Sequence, residues 1–134
     1  MTSKDTYIPG VCNIGDAETT QRRRVGWVGL IVTIIGLFVL IFLNFEPLFA
    51  FLLFFPASFS ALGFIQARKR FCALYGLTSV YNFDEIGMQI QVEEKENQAR
   101  DRKEAYILIL QSMAVGITIS FAAFLLMYFL VIYF

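Results

Sequence analysis

Residues 22–47 read RRRVGWVGLIVTIIGLFVLIFLNFEP. Three arginines lead, an uncharged run follows from Val25 to Leu43, and Asn44-Phe45-Glu46-Pro47 closes it. At about 1.5 Å per residue the uncharged run reaches about 28 Å as a helix, enough for the roughly 30 Å hydrocarbon layer of a bilayer. A link as short as 44–47 joins antiparallel helices, so the chain is expected to cross and return. The returning run is Leu48 to Gln66, rich in Phe and interrupted only by Pro56. A third run, Ile107 to Phe134, would measure about 42 Å if fully helical and should tilt or project. With 134 residues, 57% of them hydrophobic, the composition is that of a membrane protein. The first apolar run begins too late and is too long for a cleavable signal peptide, and no small-residue cleavage site follows it.

The basic residues set the expected orientation. Lys4, Arg22, Arg23 and Arg24 precede the first span, and Arg68, Lys69, Arg70, Lys95, Arg100, Arg102 and Lys103 lie between the second and third. The 44–47 link has none, and nothing basic follows Lys103. Basic residues mark the side that stays in the cytoplasm. The expectation is an all-α membrane protein with three transmembrane helices, an antiparallel hairpin plus one, N-terminus inside and C-terminus outside. Its expected parts are a tail over 1–15, a transmembrane hairpin over 16–78, a cytoplasmic loop and helix over 79–106, and a third transmembrane helix over 107–134. Arg22, Arg23, Arg24, Arg68, Lys69 and Arg70 would stand at the inner headgroups, with Trp27 at the interface. Membrane lipids are expected partners, and bound lipid the one expected companion molecule.

Net charge is zero, from eleven basic and eleven acidic residues. Only Glu46 of the acids falls on the outer side, so the inner surface is mixed in sign, and a nucleic-acid role has no support. The chain has no His, which removes imidazole general-base chemistry and His-ligated metal or haem sites. No ionisable group falls inside the spans, only Gln111 near the inner end of the third. This argues against a pump, channel or secondary transporter acting alone. No catalytic residue, cofactor site or metal site is expected.

Local signals fill in the rest. Pro9-Gly10 is a turn in an otherwise irregular tail. Asp16 is the expected N-cap of the first helix, with Glu18 in its first turn. Pro56 should kink the second helix and free a carbonyl near residue 52 for Ser60 or Thr33. That helix is expected to finish over Arg68–Gly76, with Gly76 at its C-cap. Ser79–Phe83 and Met88–Val92 alternate around Asp84-Glu85-Ile86-Gly87 as in a β-hairpin, a short amphipathic helix being the alternative. From Glu93 the pattern is helical, with Glu96 and Arg100 at i,i+4, and should run unbroken into the third span.

Two sets of residues are candidates for function. Gly26, Gly29, Thr33 and Gly36 share one face of the first helix, Ala57, Ser60, Ala61 and Gly63 cluster in the second, and Ser112, Gly116 and Ser120 repeat every four residues in the third. Small residues let membrane helices approach closely, against an internal or a foreign partner. Cys12 and Cys72 are the only candidates for chemistry, both expected inside and able to approach one another. A reducing cytoplasm disfavours a disulfide, but two thiolates could hold a soft ion such as Cu(I) or pass sulfane sulfur.

Asn13-Ile14-Gly15, Glu18, the arginine cluster and Gly26 open the hairpin, and Gly63-Phe64 through Phe71-Cys72-Ala73-Leu74-Tyr75-Gly76 close it. In these residues the chain resembles the small two-helix membrane domain attached to inner-membrane rhodaneses of the YgaP type, also found as a stand-alone bacterial protein of unknown function. The resemblance covers 12–78 and implies a bacterial inner-membrane hairpin able to associate with a copy of itself, with a sulfur connection through Cys72. Ala73 stands where that family often has Pro, and the charged loop and third span have no counterpart in it. Two functional expectations follow. One, from the absence of intramembrane charge and of catalytic groups, is a non-catalytic accessory or scaffolding subunit of a larger inner-membrane complex (respiratory, photosynthetic or secretion type), packing through small-residue and Phe-rich helix faces against other integral subunits or a copy of itself. The alternative is a sulfur- or copper-handling protein that uses Cys12 and Cys72.

Overall fold

The structure, a computed structural model, describes residues 6–134; Lys4, counted above among the inner basic residues, lies outside them. Three helical stretches, Asp16–Phe42, Pro47–Lys69 and Lys95–Tyr133, are long and apolar enough to cross a membrane. The protein is a multi-pass membrane protein. Helix α1 (Asp16–Phe42) descends from a polar cap to the link at 43–46. The chain returns through a 3-10 segment (Pro47–Leu53) and α2 (Phe54–Lys69). A short α3 (Ala73–Thr78) and the strands β1 (Val80–Tyr81) and β2 (Ile90–Gln91) build the cap. Helix α4 (Lys95–Tyr133) then runs unbroken for 39 residues, about 58 Å at the usual rise.

Of the two readings left open for 79–92, the hairpin is the one found, with strands of two residues each rather than five. The two strands pair antiparallel, Val80 with Gln91 and Tyr81 with Ile90. Several boundaries differ from expectation, each for a local reason. Gly15, not Asp16, is the N-cap of α1, and its carbonyl accepts from Thr19 Oγ1 at 2.7 Å. Pro56 is the third residue of α2, just past the 3-10 segment. Its missing N–H therefore falls where helical N–H groups lack an intrahelical acceptor anyway. Ser60 and Thr33 accordingly bond elsewhere: Ser60 Oγ donates to Gly26 O and Thr33 Oγ1 to Gly29 O, both at 2.7 Å. Helix α2 stops before Gly76, because Arg70 turns left-handed (φ 55°) and its N–H closes on Gln66 O. Gly76 instead lies inside α3, where a Cβ would meet Asp101 O of α4 at 2.8 Å.

Helix α2 is the centre of the bundle, and the small residues explain why. On the α1 side, a Cβ on Gly63 would lie 2.5 Å from Gly26 N and 2.7 Å from Arg22 O, and one on Gly29 would meet Ser60 N at 2.8 Å. On the α4 side, Gly116 faces Ser58 and Phe54 O. Ala57, Ser60, Ser112 and Ser120 are all buried in these two seams. The stripes thus serve packing within the chain. Toward the link, Ala50 and Leu53 pack against Ala123 and Met127 of α4. Toward the cap, Phe71 and Ala73 pack on Ala105 and Leu108. Helix α4 therefore runs antiparallel to α2 and parallel to α1.

Candidate functional site

The polar groups converge in the cap, around a carboxylate in the first turn of α1. Glu18 is 1% exposed. Its Oε1 accepts from Tyr75 Oη at 2.7 Å and from Asn82 Nδ2 and Gly87 N at 3.2 Å. Its Oε2 has no hydrogen-bond donor among the described residues but faces Arg22 Nη2 at 3.2 Å, an ion pair across one helical turn. The same Nη2 donates to Cys72 Sγ at 3.1 Å, and the guanidinium carbon lies 5.9 Å from the Tyr75 ring centre. A buried charge is tolerated only when paired and hydrogen-bonded, and here both conditions are met.

Two buried asparagines lock the segments that carry these groups. Asn13 pairs with the Cys72 backbone in both directions, accepting from Cys72 N at 2.7 Å and donating to Cys72 O at 3.2 Å. Asn82 N donates to Asn13 O at 2.9 Å, and Gly15 N donates to Asn82 O at 2.8 Å. The Asn82 side chain then holds the hairpin turn, donating to Glu85 O at 2.6 Å and accepting from Asp84 N at 2.9 Å. A Cβ on Gly15 would lie 2.8 Å from Phe83 O, so this crossing needs a glycine.

A second clamp joins the N-terminal segment to α4. Asp101 is fully buried and accepts from Gly10 N at 2.7 Å and from the Tyr7 hydroxyl. Gly10 has φ +70°, the turn expected from Pro9-Gly10, and the Tyr7 ring stacks on Tyr81 at 4.6 Å. Residues 7–12 are thus held as a strap rather than an irregular tail, the first five residues of the expected tail lying outside the described ones. Burial first, and then the bond to Asp101, raise the Tyr7 pKa above its ordinary value. The Tyr75 pKa is raised as well, by burial and by its bond to Glu18. Both phenols are therefore held as protonated donors.

The expected site residues separate on this frame. Of the six topology residues, Arg22, Lys69 and Arg70 are paired with Glu18, Glu104 and Asp16, whereas Arg23, Arg24 and Arg68 are exposed. Cys12 and Cys72 are both buried and form no disulfide. Their backbones are neighbours through Asn13, but Cys12 Sγ contacts Ile14 O at 3.8 Å while Cys72 Sγ is held by Arg22. Cys72 also lines a groove of about 400 Å³ with Arg22, Gln66, Val25, Phe59 and Leu62. No group of three or more Cys, Asp or Glu is placed to hold a metal among the described residues. Asn13, Asn82 and Asp101 were not singled out from sequence as site residues. For the two asparagines the only advance signal is a polar residue within an apolar or turn-forming segment; Asp101, set among the charges of 95–104, carries none. The i,i+4 spacing of Glu18 and Arg22 could have revealed their pair.

On the membrane faces, α4 carries an aromatic ladder. Phe121, Phe124, Tyr128, Phe129 and Tyr133 follow one another at 6.0 to 6.3 Å, and Phe51 stacks on Phe124 at 5.2 Å. Apart from Phe124, the members of this ladder are exposed. No protein-family model, curated protein or solved structure matches the chain.

Proposed function

We propose that the chain is a non-catalytic accessory subunit of a larger integral membrane assembly, in a bacterial cytoplasmic membrane with the cap on the inner side. The observation that carries this reading is the division of its helix faces. The small-residue seams are filled by the chain's own helices, while the aromatic ladder of α4 stays open along the membrane-facing surface. Large rings supply much contact area and pair in preferred geometries, which suits a face that meets another protein as well as lipid. The clamped cap supports a holding role, since its hydrogen bonds fix the three helices relative to one another. The inner-side assignment rests on the positive-inside rule. Affinity purification in mild detergent should recover the chain with stoichiometric integral partners. Recovery as a lone monodisperse species would contradict the proposal.

One contact favours a second reading, thiol chemistry: Cys72 Sγ lies 3.1 Å from a guanidinium nitrogen and lines a groove. A double Cys12→Ser, Cys72→Ser variant discriminates. Normal assembly and complementation would exclude a thiol function, and loss of complementation in a correctly assembled variant would support it.

A further inference from the structure

The hairpin of the cap has two unlike sides. Asn82 and Val92 anchor it inward, both buried. Residues 84–91 between them are exposed without interruption. Within that stretch Ile86, Met88 and Ile90 present large apolar side chains, 57%, 58% and 47% exposed. Asp84, Glu85, Glu93 and Glu94 surround them, and no basic residue occurs between Asn82 and Lys95. The cap uses Asp84 and Glu85 only through backbone atoms, as donor to and acceptor from Asn82. The fold thus keeps together, on one exposed element, apolar bulk and carboxylates that form no ion pair among the described residues. Scattered exposed apolar residues need no explanation, but a cluster with a polar rim outside the spans marks an interaction surface.

We infer that this hairpin docks a basic, partly apolar segment of a second integral membrane protein, on the same side of the membrane as the cap. The inference rests on the subunit reading and names the contact through which a partner is engaged. Charge decides the occupant. Inner-side segments of membrane proteins are enriched in Lys and Arg, the complement of this rim. The inner leaflet itself is anionic and repels four carboxylates. A second copy meets like charge at its own hairpin; its Arg22, Lys69 and Arg70 already have carboxylate partners, and its exposed Arg23, Arg24 and Arg68 sit on the ends of its spans rather than on a free segment.

The test is photo-crosslinking in native membranes, with Met88→p-benzoylphenylalanine in one variant and Phe121→p-benzoylphenylalanine in another. The Met88 probe should attach to a Lys/Arg-bearing peptide of an integral protein that the Phe121 probe also captures. Neutralising the rim with Asp84→Asn, Glu85→Gln and Glu93→Gln should lower the Met88 adduct by roughly fivefold or more near physiological salt. The Phe121 adduct and the melting temperature should be retained, because none of those three carboxylates holds the cap together. A Met88 adduct with lipid, with a second copy or with a peptide lacking basic residues would overturn the inference. So would a yield unchanged by neutralisation. Absence of a Met88 adduct beside a Phe121 adduct would overturn the docking surface and leave the subunit reading standing. Absence of both would overturn both.

Discussion

Gly63→Ala should loosen the whole bundle, because the added methyl group would press on backbone rather than on side chains. Its Cβ would sit 2.5 Å from Gly26 N, 2.7 Å from Arg22 O and 2.9 Å from Gly26 Cα. None of these atoms can swing aside by a rotamer change, so α1 and α2 must part by nearly 1 Å to restore van der Waals contact. Overpacking of this kind costs about 1–3 kcal/mol. Separation also stretches the 2.7 Å bond from Ser60 Oγ to Gly26 O, a membrane hydrogen bond worth roughly 0.6 kcal/mol. The helical preference for Ala over Gly returns at most about 1 kcal/mol. The net expectation is a loss of about 0.6–2.6 kcal/mol. Gly36→Ala is the matched control, since its Cβ would meet only Leu53 Cδ2 at 2.9 Å, the end of a flexible side chain. Reversible unfolding in mixed micelles, followed by far-UV circular dichroism, measures both variants. If Gly63→Ala proved as stable as the parent, or no worse than Gly36→Ala, the close crossing of α1 and α2 would be refuted.

Removing the central carboxylate should open the cap. Glu18→Ala leaves Tyr75, Asn82 and Gly87 N without their acceptor and Arg22 without its counter-ion. Breaking a buried pair from one side costs about 3 kcal/mol or more, and Cys72, buried in the parent and expected to be unreactive there, should then react readily with a thiol reagent in detergent. The strap should respond to alkali. The folded Tyr7 pKa lies above its unfolded value, so its contribution is full below about pH 10 and is lost as pH rises through the folded value. The protection of the amides in 7–12, taken relative to their base-catalysed intrinsic exchange, should fall in the parent as pH rises toward the folded Tyr7 value, and should be low throughout in Tyr7→Phe. Orientation is best probed at exposed positions, because both native cysteines are buried. In a Cys12→Ser, Cys72→Ser background, an impermeant thiol reagent added to intact cells should label Glu46→Cys and leave Gln91→Cys unlabelled; the opposite pattern would reverse the topology.

The helices were legible in the sequence because each rule behind them acts locally. An uncharged run such as Val25–Leu43 needs no knowledge of its neighbours to be read as a span, whereas the period-two alternation around Asp84–Gly87 suggests a hairpin but leaves a short helix open. The 3-10 segment at Pro47–Leu53 and the early end of α2 depend on what the chain meets in space, so Pro56 and Gly76 carried misleading local signals. The stripes of small residues predicted close packing but not the partner. Only the placement of Gly63 on Gly26, and of Gly116 on Ser58, shows the seams to be internal. The cap network was the least legible part. Glu18 and Asp101 look like surface acids in sequence, and their burial is created by Asn82, Tyr75 and Tyr7, which come from distant segments.

Native mass spectrometry of the protein released from its own membranes bears most directly on the subunit proposal. The chain weighs 15.3 kDa. A holding role predicts a heteromeric mass that dissociates on activation to release this chain together with at least one larger integral protein in fixed ratio. A spectrum containing only the 15.3 kDa chain, or only whole multiples of it, would contradict the account.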